Sequence, residues 1–213
     1  MRKMALIGIN RLRIGSDGHG ITTVVGFHGC PLRCRYCLNP QCFSPASRFR
    51  EWTPEEVMCV LQKDELYFIA SGGGATFGGG EPLLHSSFIL DILHQGAKRW
   101  HTTVESSLNV PFENIEPLIP FVDEYIVDIK DMNPLIYESY TGKNNDLVKF
   151  NLERLVNDGV GNRIVCRIPH IPDFNTSEDQ NQSQRELREM GITRIERFNY
   201  FNNSKTYDGK REM

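Results

Sequence analysis

The sequence predicts one α/β domain: a partial (β/α)6 barrel with an open, mostly parallel, curved sheet. Two observations lead there. Short runs of β-branched and aromatic residues alternate with helical stretches along the whole chain, the pattern of parallel strands joined by right-handed crossovers. The chain has 213 residues, enough for one domain of ordinary size, and six such units fall short of the eight of a closed barrel.

Strands are expected at ITTVVGF (21–27), LYFIA (66–70), TTVE (102–105), EYIVDI (124–129), RIVCRI (163–168) and RIERFNY (194–200). Thr53 before Pro54 and Glu55 marks a helix start, with proline at the first position. In 83–100, Leu84, Phe88 and Ile92 recur every four residues and give an apolar stripe. Segment 145–158 repeats this with Val148, Leu152, Leu155 and Val156, and Gly159 is placed to end it. A further helix is expected over 178–190. No repeat, linker or domain boundary interrupts residues 1–213, and a polar tail of about 201–213 follows the last strand.

A formal net charge of -3 gives no electrostatic case for nucleic acid or an acidic membrane. No apolar run approaches the ~20 residues that span a bilayer. Near the N-terminus the apolar stretch is broken by Asn10, Arg11 and Arg13, which does not suit a signal peptide. The expected location is the cytoplasm. Six cysteines stand at 30, 34, 37, 42, 59 and 166. Crowding the first four into one short segment argues for metal or redox chemistry over cross-linking.

The segment GFHGCPLRCRYCLNPQCF places Cys30, Cys34 and Cys37 in a CxxxCxxC knot, with Gly29 and Pro31 permitting a tight turn. Three thiolates on a 4Fe–4S cluster leave one iron open to another ligand. The cysteines alone also allow a structural zinc site with Cys42 as fourth ligand, or a redox-sensing thiol cluster. Residues 71–82, SGGGATFGGGEP, are rich in glycine, as where backbone approaches a ligand or where a surface loop is merely flexible. The Lys-Ser/Thr of a phosphate loop is absent, and a carboxylate at Glu81 would repel phosphate and attract an ammonium group. Alternation puts Asp128 and Lys130 on one face, as a ligand site or a structural ion pair. The histidines at 19, 28, 85, 94, 101 and 170 show no metal-ligand spacing. Cys42, Cys59 and Cys166 read as packing residues.

CxxxCxxC with Tyr36 just before the third cysteine resembles the signature of the radical S-adenosylmethionine superfamily. SDGHGITTVVGFHGCPLRCRYCLNP is similar to the opening of the glycyl-radical-enzyme activating enzymes, which include pyruvate formate-lyase activase. The likeness continues through ASGGGATFGGGEPLL, VDIK and RIPHIP, over roughly residues 16 to 200. It implies a radical-SAM barrel with a 4Fe–4S cluster on Cys30, Cys34 and Cys37. It also implies an S-adenosylmethionine site formed by Tyr36, the Gly79-Gly80-Glu81 motif that grips the methionine amino group, Glu105, Ser106, Asp128, Lys130 and Arg167. Lys130 joins the cysteines in the catalytic set, and Arg167 stands beside the methionine carboxylate. In such enzymes a reduced flavodoxin or ferredoxin supplies one electron. The cofactor splits into methionine and a 5′-deoxyadenosyl radical, which takes hydrogen from a glycine of a partner glycyl radical enzyme.

The sequence departs from that family in four places. Gly78 stands for its usual serine, Glu105 for its aspartate, and Tyr200-Phe201 for tyrosine followed by histidine; a final helix is not evident. No cysteine-rich insert follows Cys42, so a second cluster is not expected, and the motifs favour the pyruvate formate-lyase kind over the anaerobic ribonucleotide reductase kind. Two other functions stay open: a radical enzyme acting on a peptide or small molecule, and a non-enzymatic zinc or iron–sulfur binding module.

Overall fold

The computed structural model describes residues 2–96 and 99–199. Eight strands form one open sheet: β1 (Met4–Ile14), β2 (Ile21–Phe27), β3 (Glu51–Trp52), β4 (Gly74–Gly79), β5 (His101–Ser106), β6 (Glu124–Asp128), β7 (Ile164–His170) and β8 (Arg194–Asn199). Their spatial order is β3-β1-β2-β4-β5-β6-β7-β8. The run from β2 to β8 is parallel throughout, and β1 and β3 add an antiparallel edge. Six parallel strands stand in the expected open α/β arrangement, although the sequence pattern located only five of them.

The helices are α1 (Pro54–Gln62), α2 (Glu65–Ser71), α3 (Ser86–Leu93), α4 (Pro134–Thr141), α5 (Asp146–Asn157) and α6 (Ser177–Glu189). Thr53 closes a capping box with Glu56 at the start of α1, and Gly159 adopts φ 78° just beyond α5. The expected strand LYFIA is instead most of α2. Gly72 ends that helix in the left-handed region with its N–H donating to the Phe68 carbonyl, so the glycine stop outweighs the β propensity of its aromatic residues. The sixth parallel strand is β4, inside the stretch read as a glycine loop. The N-terminal segment set aside as an unsuitable signal peptide is β1. The pair Tyr200-Phe201 and the tail 201–213 lie outside the described residues.

Alternation along the strands divides the sheet into two faces. Val25, Phe27, Ala75, Phe77, Val104, Tyr125, Val127, Cys166 and Ile168 join a core with Val57 and Leu61 of α1, Phe88 and Ile92 of α3, Leu152 and Leu155 of α5, and Leu187 of α6. The opposite face carries Thr22, Gly26, Thr76, Gly78, Thr103, Glu105, Asp128 and Arg167, so the charged side chains of β5, β6 and β7 stand on that side. The turn between β1 and β2 folds onto this face, where the Thr76 hydroxyl donates to the Asp17 carbonyl and Arg167 Nη2 to the Ser16 carbonyl at 3.0 Å.

Asp64 fastens the antiparallel edge to the parallel sheet. Its side chain is fully buried, and it accepts from Arg11 Nη2 of β1 at 2.6 Å and from Thr23 Oγ1 of β2 at 2.7 Å. Replacing it by alanine strands the buried Thr23 hydroxyl. Asp64→Ala is therefore expected to lower stability by about 1.5–3 kcal/mol, the range for hydrogen bonds to charged groups, in urea unfolding of the apoprotein.

Candidate active site

A cavity of about 580 Å³ opens on the polar face. Cys30, Cys34 and Cys37 line it together with Gly79, Gly80, Glu81, Glu105, Ser106, Asp128 and Lys130. Ile7, Asn10, Arg13 and Asp17 close the side formed by β1 and its turn. Ten of the twelve residues that the sequence singled out thus meet in one place, from three separate strand ends and the loop after β2. These are the carboxyl ends of parallel strands, where such folds put their chemistry.

The cysteine loop is held by its backbone. Leu32 plugs it into the core at 1% exposure. The N–H groups of Arg33 and Arg35 donate to the carbonyls of Thr141 (2.8 Å) and Tyr140 (3.1 Å) at the end of α4. Asn39 Nδ2 donates to the Gly79 carbonyl at 2.9 Å. Across the gap, Gly80 N donates to Phe27 O (2.9 Å) and Glu81 N to Gly29 O (2.8 Å). A Cβ on Gly80 would lie 2.2 Å from Gly29 O, and one on Gly79 would lie 2.8 Å from Gly26 Cα. These two glycines therefore let backbone meet backbone.

Glu81 is engaged by donors of the chain itself. It is 1% exposed and both oxygens are occupied: Oε1 accepts from Ser106 Oγ (2.7 Å) and Leu83 N (3.2 Å), Oε2 from Ser107 N (3.0 Å) and Ser107 Oγ (2.7 Å). These four donors fill the capacity of a carboxylate. Glu81 thus shapes the turn after β5.

Two residues expected at the site fall outside the cavity lining. Tyr36 directs its hydroxyl to Asp173 at 3.1 Å and packs edge-on against Tyr140 and Phe174. Arg167 bridges Glu105 (3.2 Å) and Glu196 (3.2 Å). Lys130 pairs with Asp128 at 2.9 Å and is only 12% exposed, as the shared face predicts. Cys42, read as packing, is buried and its thiol donates to Cys37, which holds Cys37 down at about 6. Burial pushes the Cys30 thiol up to about 12, with help from the Glu81 charge. It also raises Cys34, against the pull of the Lys130 ammonium.

Residues 24–180 match the Radical SAM superfamily model. The chain belongs to the radical SAM superfamily. The pyruvate formate-lyase-activating enzyme of Clostridium pasteurianum is 38% identical, over 76% of this chain and 67% of that one. The (2S)-3-sulfopropanediol dehydratase activating enzyme of Klebsiella oxytoca is 29% identical, over 80% and 72%. Among solved structures, Streptococcus suis SuiB shares the fold at a TM-score of 0.63 and 13% identity, over 90% of this chain and 40% of SuiB. SuiB bound to S-adenosylmethionine matches at 0.58 and 16% identity, over 87% and 42%.

The residues of this radical SAM enzyme fit the 4Fe–4S cluster and S-adenosylmethionine of the superfamily. Three thiols face one cavity. Among the described residues no three His, Cys, Asp or Glu side chains converge closely enough to hold a single ion, whereas a cluster takes one thiolate per iron over a wider body. Superfamily membership displaces the zinc module as the reading of this knot. The acidic lining of Asp17, Glu105 and Asp128 suits a cationic ligand, with Lys130 available to a carboxylate.

Two outcomes follow. In Glu81→Gln either orientation sets the amide NH2 against a backbone N–H, of Leu83 or Ser107, so stability is expected to fall by about 1–3 kcal/mol in chemical unfolding. Burial first, and Asp128 second, raise the Glu105 carboxyl from 4.5 to about 7. The folded chain then holds more protons at this site than the unfolded one between those values. Its contribution to stability is present below 4.5 and lost as pH rises through about 7. Comparing the pH dependence of unfolding in wild type and Glu105→Gln checks this, the variant lacking that decline.

Proposed function

We propose that this chain is an activating enzyme that removes a hydrogen atom from a glycine of a partner glycyl radical enzyme. The observation that carries the reading is the three-cysteine loop docked on the Gly79–Glu81 turn at the mouth of a polar cavity. It is supported by relatives at 38%, 30% and 29% identity that are activating enzymes. A reduced flavodoxin or ferredoxin is the proposed electron donor, and the cytoplasm the proposed location; no helix among the described residues is long and apolar enough to cross a membrane.

Cys30, Cys34 and Cys37 would hold the cluster and leave one iron open for the methionyl end of S-adenosylmethionine. When bound, the pair supplies a one-electron cleavage giving methionine and a radical able to take hydrogen from carbon. The protein binds, orients and keeps water out. Glu105 and Asp128 keep exposed oxygen, at 26% and 30% side-chain exposure, and would receive the ammonium end beside the main chain of Gly79 and Gly80. Lys130, fixed by Asp128, offsets carboxylate charge and stabilises the neighbouring thiolates. Arg167 acts from behind, holding Glu105 in place. Tyr36 fixes the cysteine loop by its ring contacts. Glu81 presents Ser106 and Ser107 to the cavity.

Anaerobic reconstitution with iron and sulfide, then S-adenosylmethionine and dithionite, tests the reading. Wild type is expected to form 5′-deoxyadenosine, and Cys34→Ala to lose at least about a hundredfold of that rate, the scale on which a displaced reacting group matters. A colourless protein holding one zinc and forming no 5′-deoxyadenosine contradicts it.

A further inference from the structure

The three thiols of the cysteine loop differ in the hydrogen bonds they receive. The Cys30 sulfur accepts from the Leu32 N–H and the Cys37 sulfur from the Asn39 N–H, each two residues further along. Cys34 accepts from its own N–H. Cys37 alone of the three gains a side-chain donor, the thiol of Cys42.

Cys42 is fixed where it stands. It is 2% exposed and lies in the short 3-10 turn Pro40–Phe43. Its N–H donates to the Asn39 carbonyl at 3.0 Å, and its carbonyl accepts from Gly29 N at 3.2 Å. Beside it the Phe43 ring carries the Arg33 guanidinium at 4.4 Å, and Arg33 Nη1 donates to the Cys30 carbonyl at 2.8 Å. The turn is thereby tied to residues before and within the knot. Cys30, Cys34 and Cys37 line the cavity and Cys42 does not. It stands behind Cys37 and not across the open side, where a fourth ligand would be needed.

A thiol is a weak donor, but an anionic acceptor strengthens the bond. Hydrogen bonds to the ligand sulfurs are among the terms that set the reduction potential of an iron–sulfur cluster. A donor on a thiolate draws charge away from iron. It therefore stabilises the reduced cluster, which carries one more negative charge, more than the oxidised one.

We propose that Cys42 is a positioning residue for electron entry: its S–H, donated to the Cys37 thiolate, raises the reduction potential of the cluster without binding iron. It touches neither S-adenosylmethionine nor substrate and acts through Cys37. This inference rests on the cluster at Cys30, Cys34 and Cys37, and holds whichever molecule gives up the hydrogen atom.

Wild type, Cys42→Ala and Cys42→Ser are reconstituted with iron and sulfide and titrated with dithionite in the presence of redox mediators. Electron paramagnetic resonance reads the reduced cluster. Alanine and serine are close in size, but only serine keeps a hydroxyl donor. Cys42→Ala is expected to lower the reduced-to-oxidised ratio at a fixed potential about fivefold, the scale of one ordinary hydrogen bond. For one electron that is a midpoint lower by roughly 40 mV. Cys42→Ser is expected to recover most of the shift. In deuterium oxide, electron–nuclear double resonance of the reduced wild type is expected to show an exchangeable deuteron that Cys42→Ala lacks. Equal midpoints in the three proteins overturn the proposal. Equal shifts in the alanine and serine variants also overturn it, marking a packing role. A cluster spectrum that responds to S-adenosylmethionine in Cys42→Ala but not in wild type makes Cys42 a fourth ligand, and overturns it too. Wild type that holds no four-iron cluster removes the cluster assignment and the proposal together, a pattern unlike the others.

Discussion

One carboxylate ties together the strand ends on which the site depends. Glu81 follows β4, its backbone N–H bonds the cysteine loop at Gly29, and its side chain collects Ser106 and Ser107 after β5. The ends of β2, β4 and β5 are therefore registered through a single buried residue. Burial pushes its carboxyl upward while the serine hydroxyls and two backbone N–H groups oppose that push. A buried charge is tolerated only when its hydrogen bonds are complete, so the turn after β5 and the glycine turn cannot relax independently.

Electrostatics gives the cavity its second constraint. Thiols in a buried loop resist ionisation, and binding iron must displace their protons. Lys130 and the Cys42 thiol ease that locally. On the opposite wall Glu105 is held by Arg167, two strands away on β7, and Asp128 by Lys130, each carboxylate partly buried beside a cation. Such a wall favours a ligand carrying both an ammonium and a carboxylate, because each pole finds an opposite charge at fixed spacing.

The cysteine knot and the Asp128–Lys130 pair were legible because their meaning lies in local spacing. Helix α1 was legible from its Thr53 cap, α5 from its apolar period, and α6 from the glycine that stops it at Gly191, since its buried face is Gln180, Ser183 and Leu187. β4 was not, because a strand of Gly-Ala-Thr-Phe-Gly-Gly carries little side-chain pattern and owes its state to parallel neighbours on both sides. β1 was hidden by its exposed polar half. LYFIA misled because aromatic residues favour strands on average, while the left-handed stop at Gly72 decides otherwise. Glu81 could be placed at the site by its motif, but its partners at 106 and 107 are remote in sequence and have no local signal. Cys42 was visible only as a nearby cysteine; the short 3-10 turn Pro40–Phe43 that returns it to Cys37 carries no distinctive spacing.

The central claim is that three thiolates hold a cluster with one iron left for S-adenosylmethionine. Mössbauer spectroscopy of the chain reconstituted with iron-57, with and without S-adenosylmethionine, tests it most directly. The account predicts a four-iron cluster in which one iron alone changes its isomer shift when S-adenosylmethionine is added. Four irons unchanged by the addition, or an iron signal without sulfide-bridged character, would contradict it.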